Sequence, residues 1–352
     1  MQKTHVGDIP FARMAAAMFA LFLSACASNA GPSPASVEAT PKEAASGPVG
    51  WHTVFFDDFD GTALDETKWK PEQSCWGGGN QERQCYTDLA QNVRVTDGEL
   101  QLVAIEGDHT GPLYPEGMPG APGGTTSKPY TSGKVRTRGL AAYRYGRISA
   151  RLMLPEGQGT WPAFWMMPET DAYGPWPLSG EIDIMEATNL GTPCDECEGG
   201  IERRTSGALH FGERPPDNTY WYAMADFGSE VNPASEWRTY TVEWAEGTIQ
   251  WLVDDRIFLR LDEDDWYTAS ADARGRPYAP FDQAFYLMLN LAVGGTLTEK
   301  NGGGFDADAF PATLRADWIR VEQCAGDLET GRACLTNQPW DGTALGPWED
   351  KP

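Results

Sequence analysis

The sequence predicts an all-β fold, a sandwich or barrel of many short strands. Three observations lead there. Apolar and polar residues alternate with period two in run after run, and the runs are rich in β-branched and aromatic residues. Turn residues separate the runs, drawn from 39 Gly and 26 Pro. Helical patterns of roughly 10–15 residues are scarce between them, which argues against a doubly wound α/β architecture.

The 352 residues suffice for one large domain or two ordinary ones. The folded part begins at Trp51 with "WHTVFFDDFDG". "LQLVAIE", "YGRISARLMLP", "WPAFWMM", "GEIDIME" and "GALHFG" then read as strands. "TYTVEWAEGTIQWLVDDRIFLRLD" reads as a meander with "AEG" and "DD" as its turns. "FYLMLNLAV" and "DWIRVEQ" complete the set. No repeat of fixed period is present. The expected domain covers residues 51–324. The extension over 325–352 has no strong period, so it either packs as a Cys-stapled segment or stays loose.

Upstream of Trp51 the sequence does not read as fold. Lys3, His5 and Arg13 flank the apolar run "MAAAMFALFLSAC", too short for a convincing membrane span. Residues 1–25 therefore read as an export signal. "LSAC", Leu23 to Cys26, resembles the lipobox of bacterial lipoproteins. That resemblance implies lipidation at Cys26, and Ala27 after it implies sorting to the outer membrane, on its periplasmic or its outer side. The alternative is an ordinary signal cut near Ala25 or Ala27. Residues 26–50, rich in Ala, Ser and Pro, read as a flexible tether.

Six further cysteines suit disulfides in an exported chain, and six allow fifteen pairings. Proximity favours Cys75–Cys85, Cys194–Cys197 and Cys324–Cys334. "CDEC" could also be half of a metal site, but no second Cys/His pair stands at zinc spacing. The formal net charge of −24 has the wrong sign for nucleic-acid binding and disfavours polyanionic substrates. Neutral substrates are unaffected. The 14 Trp and 12 Tyr, many in Gly-rich surroundings, supply aromatic surface, though most Trp are expected in the core.

The chemistry concentrates in "SGEIDIMEATN", Ser179 to Asn189, where Glu181, Asp183 and Glu186 alternate with apolar residues. Buried acids are unfavourable unless paired or used. In a strand Glu181 and Asp183 share a face, and strict alternation sends Glu186 to the other. A β-bulge near Ile184–Met185 would return Glu186 to the same face. Two carboxylates facing a bound sugar are the equipment of glycoside hydrolysis; retention needs them about 5–5.5 Å apart. Mutual repulsion would raise the pKa of the proton donor, as a general acid at neutral pH requires. A calcium site or a solvated acidic strand is the competing reading. Trp161 and Trp165 on one face of the preceding run, and Trp176 just before the acids, favour a sugar ligand, because pyranose C–H faces stack on aromatic planes.

"GEIDIME" closely resembles the E-[IL]-D-x-x-E signature of glycoside hydrolase family 16, in its bulged laminarinase-like form. "VFFDDFDGTALDETKW", "GNQERQCYTD", "YTSGKVRTRG", "YGRISARLMLPEGQGTWPAFWMMP", "NLAVGG" and "ADWIRVEQ" match in order, over about residues 51–323. The resemblance implies a curved β-sandwich, a jelly roll of two antiparallel sheets in the concanavalin/lectin manner, with the substrate cleft on the concave face. It implies retaining endo-hydrolysis of a β-glucan by a monomer, with no catalytic cofactor. Glu181 would be the nucleophile, Glu186 the acid/base and Asp183 the assisting acid between them. Asn80 and Tyr86 would lie in the glycone subsites and Arg136 near the cleft. Trp161, Trp165 and Trp176 would be platforms or walls, and His210 a cleft histidine. A structural calcium would sit on the convex side at Asp58, the Gly98 carbonyl and Asp317.

The chain departs from the family at Ala187, Ser206, Cys85 and Thr296–Leu297. These positions bear on subsite shape rather than on the acids. The leading expectation is β-1,3-glucan, with mixed β-1,3/1,4-glucan accepted. A galactan such as agar on the same mechanism, or a non-catalytic glucan-binding protein, are the alternatives.

Overall fold

A computed structural model describes residues 49–118, 121–229 and 231–337. The signal segment, Cys26, the tether up to residue 48 and residues 338–352 lie outside the described residues. In chain order the strands are β1 (Gly50–Asp57), β2 (Lys70–Pro71), β3 (Gln84–Tyr86), β4 (Val93–Thr96), β5 (Glu99–Pro112) and β6 (Thr125–Ser132). Next come β7 (Lys134–Arg136), β8 (Gly146–Met153), β9 (Thr160–Pro168), β10 (Glu181–Glu186), β11 (Thr205–Gly212) and β12 (Asn218–Ala225). The last are β13 (Arg238–Ala245), β14 (Thr248–Val253), β15 (Arg256–Asp262), β16 (Phe285–Val293) and β17 (Ala312–Ala325). The one α-helix among the described residues, α1, spans Thr296–Lys300.

Two sheets result. The larger runs β15-β14-β13-β8-β17-β5-β6-β3, with β1 on β17 and β4 on β5. The smaller runs β12-β11-β10-β9-β16-β7-β2. All pairings are antiparallel except β3 with β6. The inner faces make one core, in which Trp244, Trp251, Leu287, Phe164 and Ile182 have no exposed surface. β16 is buried at every position, which explains why it reads as a continuous apolar run rather than an alternating one.

The meander is β13–β14–β15. Asp254 and Asp255 hold its second turn in the left-handed region, the geometry of a two-residue hairpin that Asp tolerates. β12, "NTYWYAMA", had no counterpart among the runs read from the sequence. Three successive aromatics hide its alternation: Tyr220 and Tyr222 take one face, while Trp221 turns away and donates to the Asp265 carbonyl.

The disulfides are Cys75–Cys85, Cys194–Cys197 and Cys324–Cys334. β1 starts at Gly50 and β17 ends at Ala325, the two being direct partners. Beyond β17 the chain packs back: the Thr336 amide and hydroxyl donate to the fully buried Glu243.

Candidate active site

The acid strand is fixed at both ends. At its entrance Ser179 Oγ accepts from the Tyr173 amide and donates to the Gly174 carbonyl, closing the loop that carries Trp176. Gly180 follows at φ +83°, where a Cβ would lie 2.6 Å from the Phe281 ring. Only glycine fits that turn. At the exit, fully buried Asn189 donates to the carbonyls of Thr298 and Asn301 and accepts from the Gly159 amide.

Between these anchors β10 is bulged. Asp183 opposes Trp165 on β9, but Met185 opposes Phe164, so one residue is extra. On β11 the partners are Glu181↔His210, Asp183↔Ala208 and Glu186↔Ser206. The bulge returns Glu186 to the face of Glu181 and Asp183, while Ile182, Ile184 and Met185 enter the core. From below, the Trp251 indole donates to the Asp183 carbonyl at 2.7 Å. The ring lies so close to β11 that a Cβ on Gly207 would stand 2.5 Å from it.

Each acid has its own partner. Trp176 Nε1 donates to Glu181 Oε2 at 2.5 Å, and Trp161 Nε1 to Glu186 Oε1 at 2.9 Å. His210 Nε2 lies 3.3 Å from Asp183 Oδ2. Burial raises Asp183 well above the usual carboxylate range, the charges of Glu181 and Glu186 add to this, and His210 opposes it. Burial also raises Glu186, against the Trp161 hydrogen bond and His210; the Glu181 and Glu82 charges add to the rise. Burial by itself would lower His210. Its hydrogen bond to Asp183 and the three carboxylate charges win, raising it to about 9. His210 is therefore a cation among three acids at neutral pH.

Cross-strand register extends the site over one face of the smaller sheet. Asp183 is followed outward by Trp165, Met288 and Arg136, each directly opposite the last. Glu186 is followed by Ala163, Asn290 and Lys134. Trp165 Nε1 donates to Asn290 Oδ1, and Asn290 Nδ2 donates to the Tyr86 hydroxyl. Lys134 Nζ sits 4.8 Å from the Trp165 ring centre and 5.6 Å from that of Tyr86. Arg136 is buried and pairs with Glu72, as Lys134 does; it reaches the cleft floor three strands from the acids rather than touching them. Asn80 lies in the loop before β3. Its carbonyl accepts from the Thr296 amide, and its amide group reaches Glu82 at 3.4 Å.

Of the residues expected at the site, Trp161, Trp176 and His210 thus contact the acids directly, Trp165 and Tyr86 are joined through Asn290, and Arg136 lies three strands away. Sequence reasoning missed Glu82, Glu72, Lys134 and Asn290, although "GNQERQC", "YTSGKVRTRG" and "NLAVGG" contain three of them. The departures from the family pattern also converge: Ala187, Ser206 and Leu297 line one small pocket beside Glu186, with Arg204 held in it by Glu202. Cys85 is spent in its disulfide.

Two side-chain groups have metal-ligand spacing among the described residues. Glu181, Asp183 and His210 offer atoms within 4.8 Å of one another, at the site already described. Cys194 and Cys197, beside Glu202, are bonded to each other. The expected calcium residues are brought to one junction, where β17 passes from β5 to β1: Gly98 precedes β5, Asp58 follows β1 and Asp317 lies in β17 between them. Their oxygens suit a hard cation. Asp317 there pairs with Arg151, which would have to release it.

Comparison with known proteins agrees with this geometry. Residues 80–320 match the family described as Glycosyl hydrolases family 16. The glucan endo-1,3-beta-glucosidase A1 of Niallia circulans is 36% identical over 281 residues, 78% of this chain and 38% of that protein. The chain therefore spans well under half the length of that relative. The beta-glucanase of Rhodothermus marinus is 36% identical over 275 residues, 77% of this chain and 85% of that one. Among solved structures, the laminarinase from Rhodothermus marinus superposes with a TM-score of 0.61 at 32% identity, covering 79% of this chain and 99% of that one. The laminarinase catalytic domain from Thermotoga maritima gives 0.61 at 28%, covering 78% and 98%.

Proposed function

This chain belongs to glycosyl hydrolase family 16, and from that premise we propose that it is a retaining endo-hydrolase of β-1,3-glucan that also accepts mixed β-1,3/1,4-glucan. One observation carries the reading: the bulge in β10 presents three acids to a cleft floored by Trp161, Trp165 and Asn290.

Glu181 is the nucleophile in this reading. It attacks the anomeric carbon as Glu186 protonates the departing glycosidic oxygen, leaving a glycosyl ester on Glu181. Glu186, now a carboxylate, takes a proton from water as that water attacks the same carbon and frees Glu181. The upward shift of Glu186 suits the first step, since the acid must arrive protonated. Trp176 orients Glu181 through its hydrogen bond, and His210 lies against Asp183. Asn80, Tyr86, Trp165 and Arg136 line the side that receives the glycone.

The anchor and the ion belong to the same proposal. Lipidation at Cys26 would place the enzyme at the outer membrane, where polysaccharide is outside the cytoplasm. A calcium at Asp58, Gly98 and Asp317 would brace the larger sheet, away from the acids.

Reducing-end release by the purified protein and its Glu181→Gln variant tests the reading on laminarin, barley mixed-linkage glucan, agarose and carrageenan. Laminarin cut by the wild type alone supports it. Cutting of agarose or carrageenan alone moves the substrate to a galactan. Binding of laminarin without any cutting makes the protein a glucan-recognition module.

A further inference from the structure

The acids do not lie at the end of the cross-strand rows. Beyond Asp183, away from Trp165, the row continues through Ala208 on β11 to Tyr222 on β12. Beyond Glu181 it continues through His210 to Tyr220. The rings are in series: Trp176 to His210 at 5.9 Å, His210 to Tyr220 at 5.5 Å, and Tyr220 to Tyr222 at 6.0 Å. Both tyrosines are half-buried, on the same face of an edge strand as the acids' cross-strand row. No hydrogen bond of either phenol to another described residue is present. The buried Tyr173, by contrast, donates to Asp282 and accepts from Arg276.

We infer that Tyr220 and Tyr222 form a sugar-binding platform on the leaving-group side of the scissile bond. The inference rests on the β-glucanase reading, and three facts support it. Tyr86, expected in the glycone subsites, lies on the other side of the acids, where Asn290, two strands out from Glu186, donates to its hydroxyl. Both tyrosines stand on β12, one strand beyond the acid strand's neighbour β11, so Tyr222 is two strand spacings from Asp183, about 10 Å. That distance suits a sugar beyond the first one past the cleaved bond. The occupant is a neutral pyranose chain: aromatic faces with unpartnered hydroxyls offer C–H stacking and a hydrogen bond, without charge.

The test compares wild type with Tyr220→Ala, Tyr222→Ala, the double alanine variant and the double phenylalanine variant. Substrates are β-1,3-linked glucose oligomers of increasing length and a short aryl β-glycoside whose leaving group is the aryl ring. The platform requires the double alanine variant to lose about tenfold in kcat/KM on the longest oligomer and far less on the aryl substrate. The phenylalanine variant should keep most of the activity. End-labelled oligomers should be cut nearer their reducing end once the platform is gone. Equal losses on both substrates, or no loss on either, overturn the inference. If the wild type cuts no β-1,3-glucan, the parent reading fails. Binding of laminarin, followed by tryptophan fluorescence, then decides: weakened binding in the double alanine variant keeps the platform, and unchanged binding removes it.

Discussion

The indole N–H of Trp161 donates to Glu186 across 2.9 Å, from one strand to the next, where the bulge has set Glu186 opposite Ala163. A hydrogen bond to a carboxylate favours its charged form and holds its pKa down. Trp161→Phe removes the donor and keeps much of the ring. The Glu186 pKa should then rise further, so the alkaline limb of the kcat/KM–pH profile should move to higher pH. A limb that stays in place, or moves down, would show that Trp161 does not bond the titrating acid.

Roles separate by leaving group. Glu186→Gln should cost about 10²–10⁴-fold on glucan, whose leaving alcohol needs a proton, and much less on an aryl glycoside with an acidic phenol. Glu181→Gln should silence both substrates. Steady-state kinetics on the two substrates checks this, and the reverse pattern would exchange the assignments.

His210 makes stability depend on pH. Its folded pKa, about 9, lies above the unfolded value near 6.5. The stabilisation is fully present below about pH 6.5 and is lost as pH rises through about 9. Asp183 and Glu186, both raised by burial, also favour the more protonated state. Melting temperature should therefore fall from neutral to alkaline pH. Asp183→Asn removes the charge nearest His210 and should flatten that fall; an unchanged slope would locate the titration elsewhere.

Gly207 is a sentinel for the acid strand. A methyl there meets Trp251 at 2.5 Å, and Trp251 supports the Asp183 carbonyl. Gly207→Ala should destabilise by about 1–3 kcal/mol in denaturant titration and lower kcat. A variant of native stability and activity would mean the indole can shift freely.

The Cys75–Cys85 link closes a ten-residue separation around the loop that carries Asn80 and Glu82. Replacing both by Ser should cost about 2–3 kcal/mol, by the chain-entropy argument, and raise KM more than it lowers kcat. A kcat loss at constant KM would place the loop's role at the acids instead.

Much of this was readable before the structure. The spacing of Glu181, Asp183 and Glu186 demanded a bulge, because a period of two cannot put all three on one face. Alternation gave most strands, and proximity gave the three disulfides. The unread part was register. Nothing in "GALHFG" says that His210 faces Glu181, and nothing in "FYLMLNLAV" says that Asn290 joins Trp165 to Tyr86. Such neighbours are chosen by strand pairing between segments far apart in the chain. Tyr220 and Tyr222 were hidden for another reason: three aromatics in a row carry no alternation to read.

Gly50 and Ala325 stand side by side as the first partners of β1 and β17. The outer ends of β1 and β17 therefore meet at one point, on the sheet that bears none of the three acids. Because Cys334 is tied to Cys324 beside that point, a peptide running from residue 337 back to Gly50 would close the chain into a ring that keeps Thr336 on Glu243, and the ring could be reopened at a surface hairpin such as Asp254–Asp255 with every cleft residue still in its row.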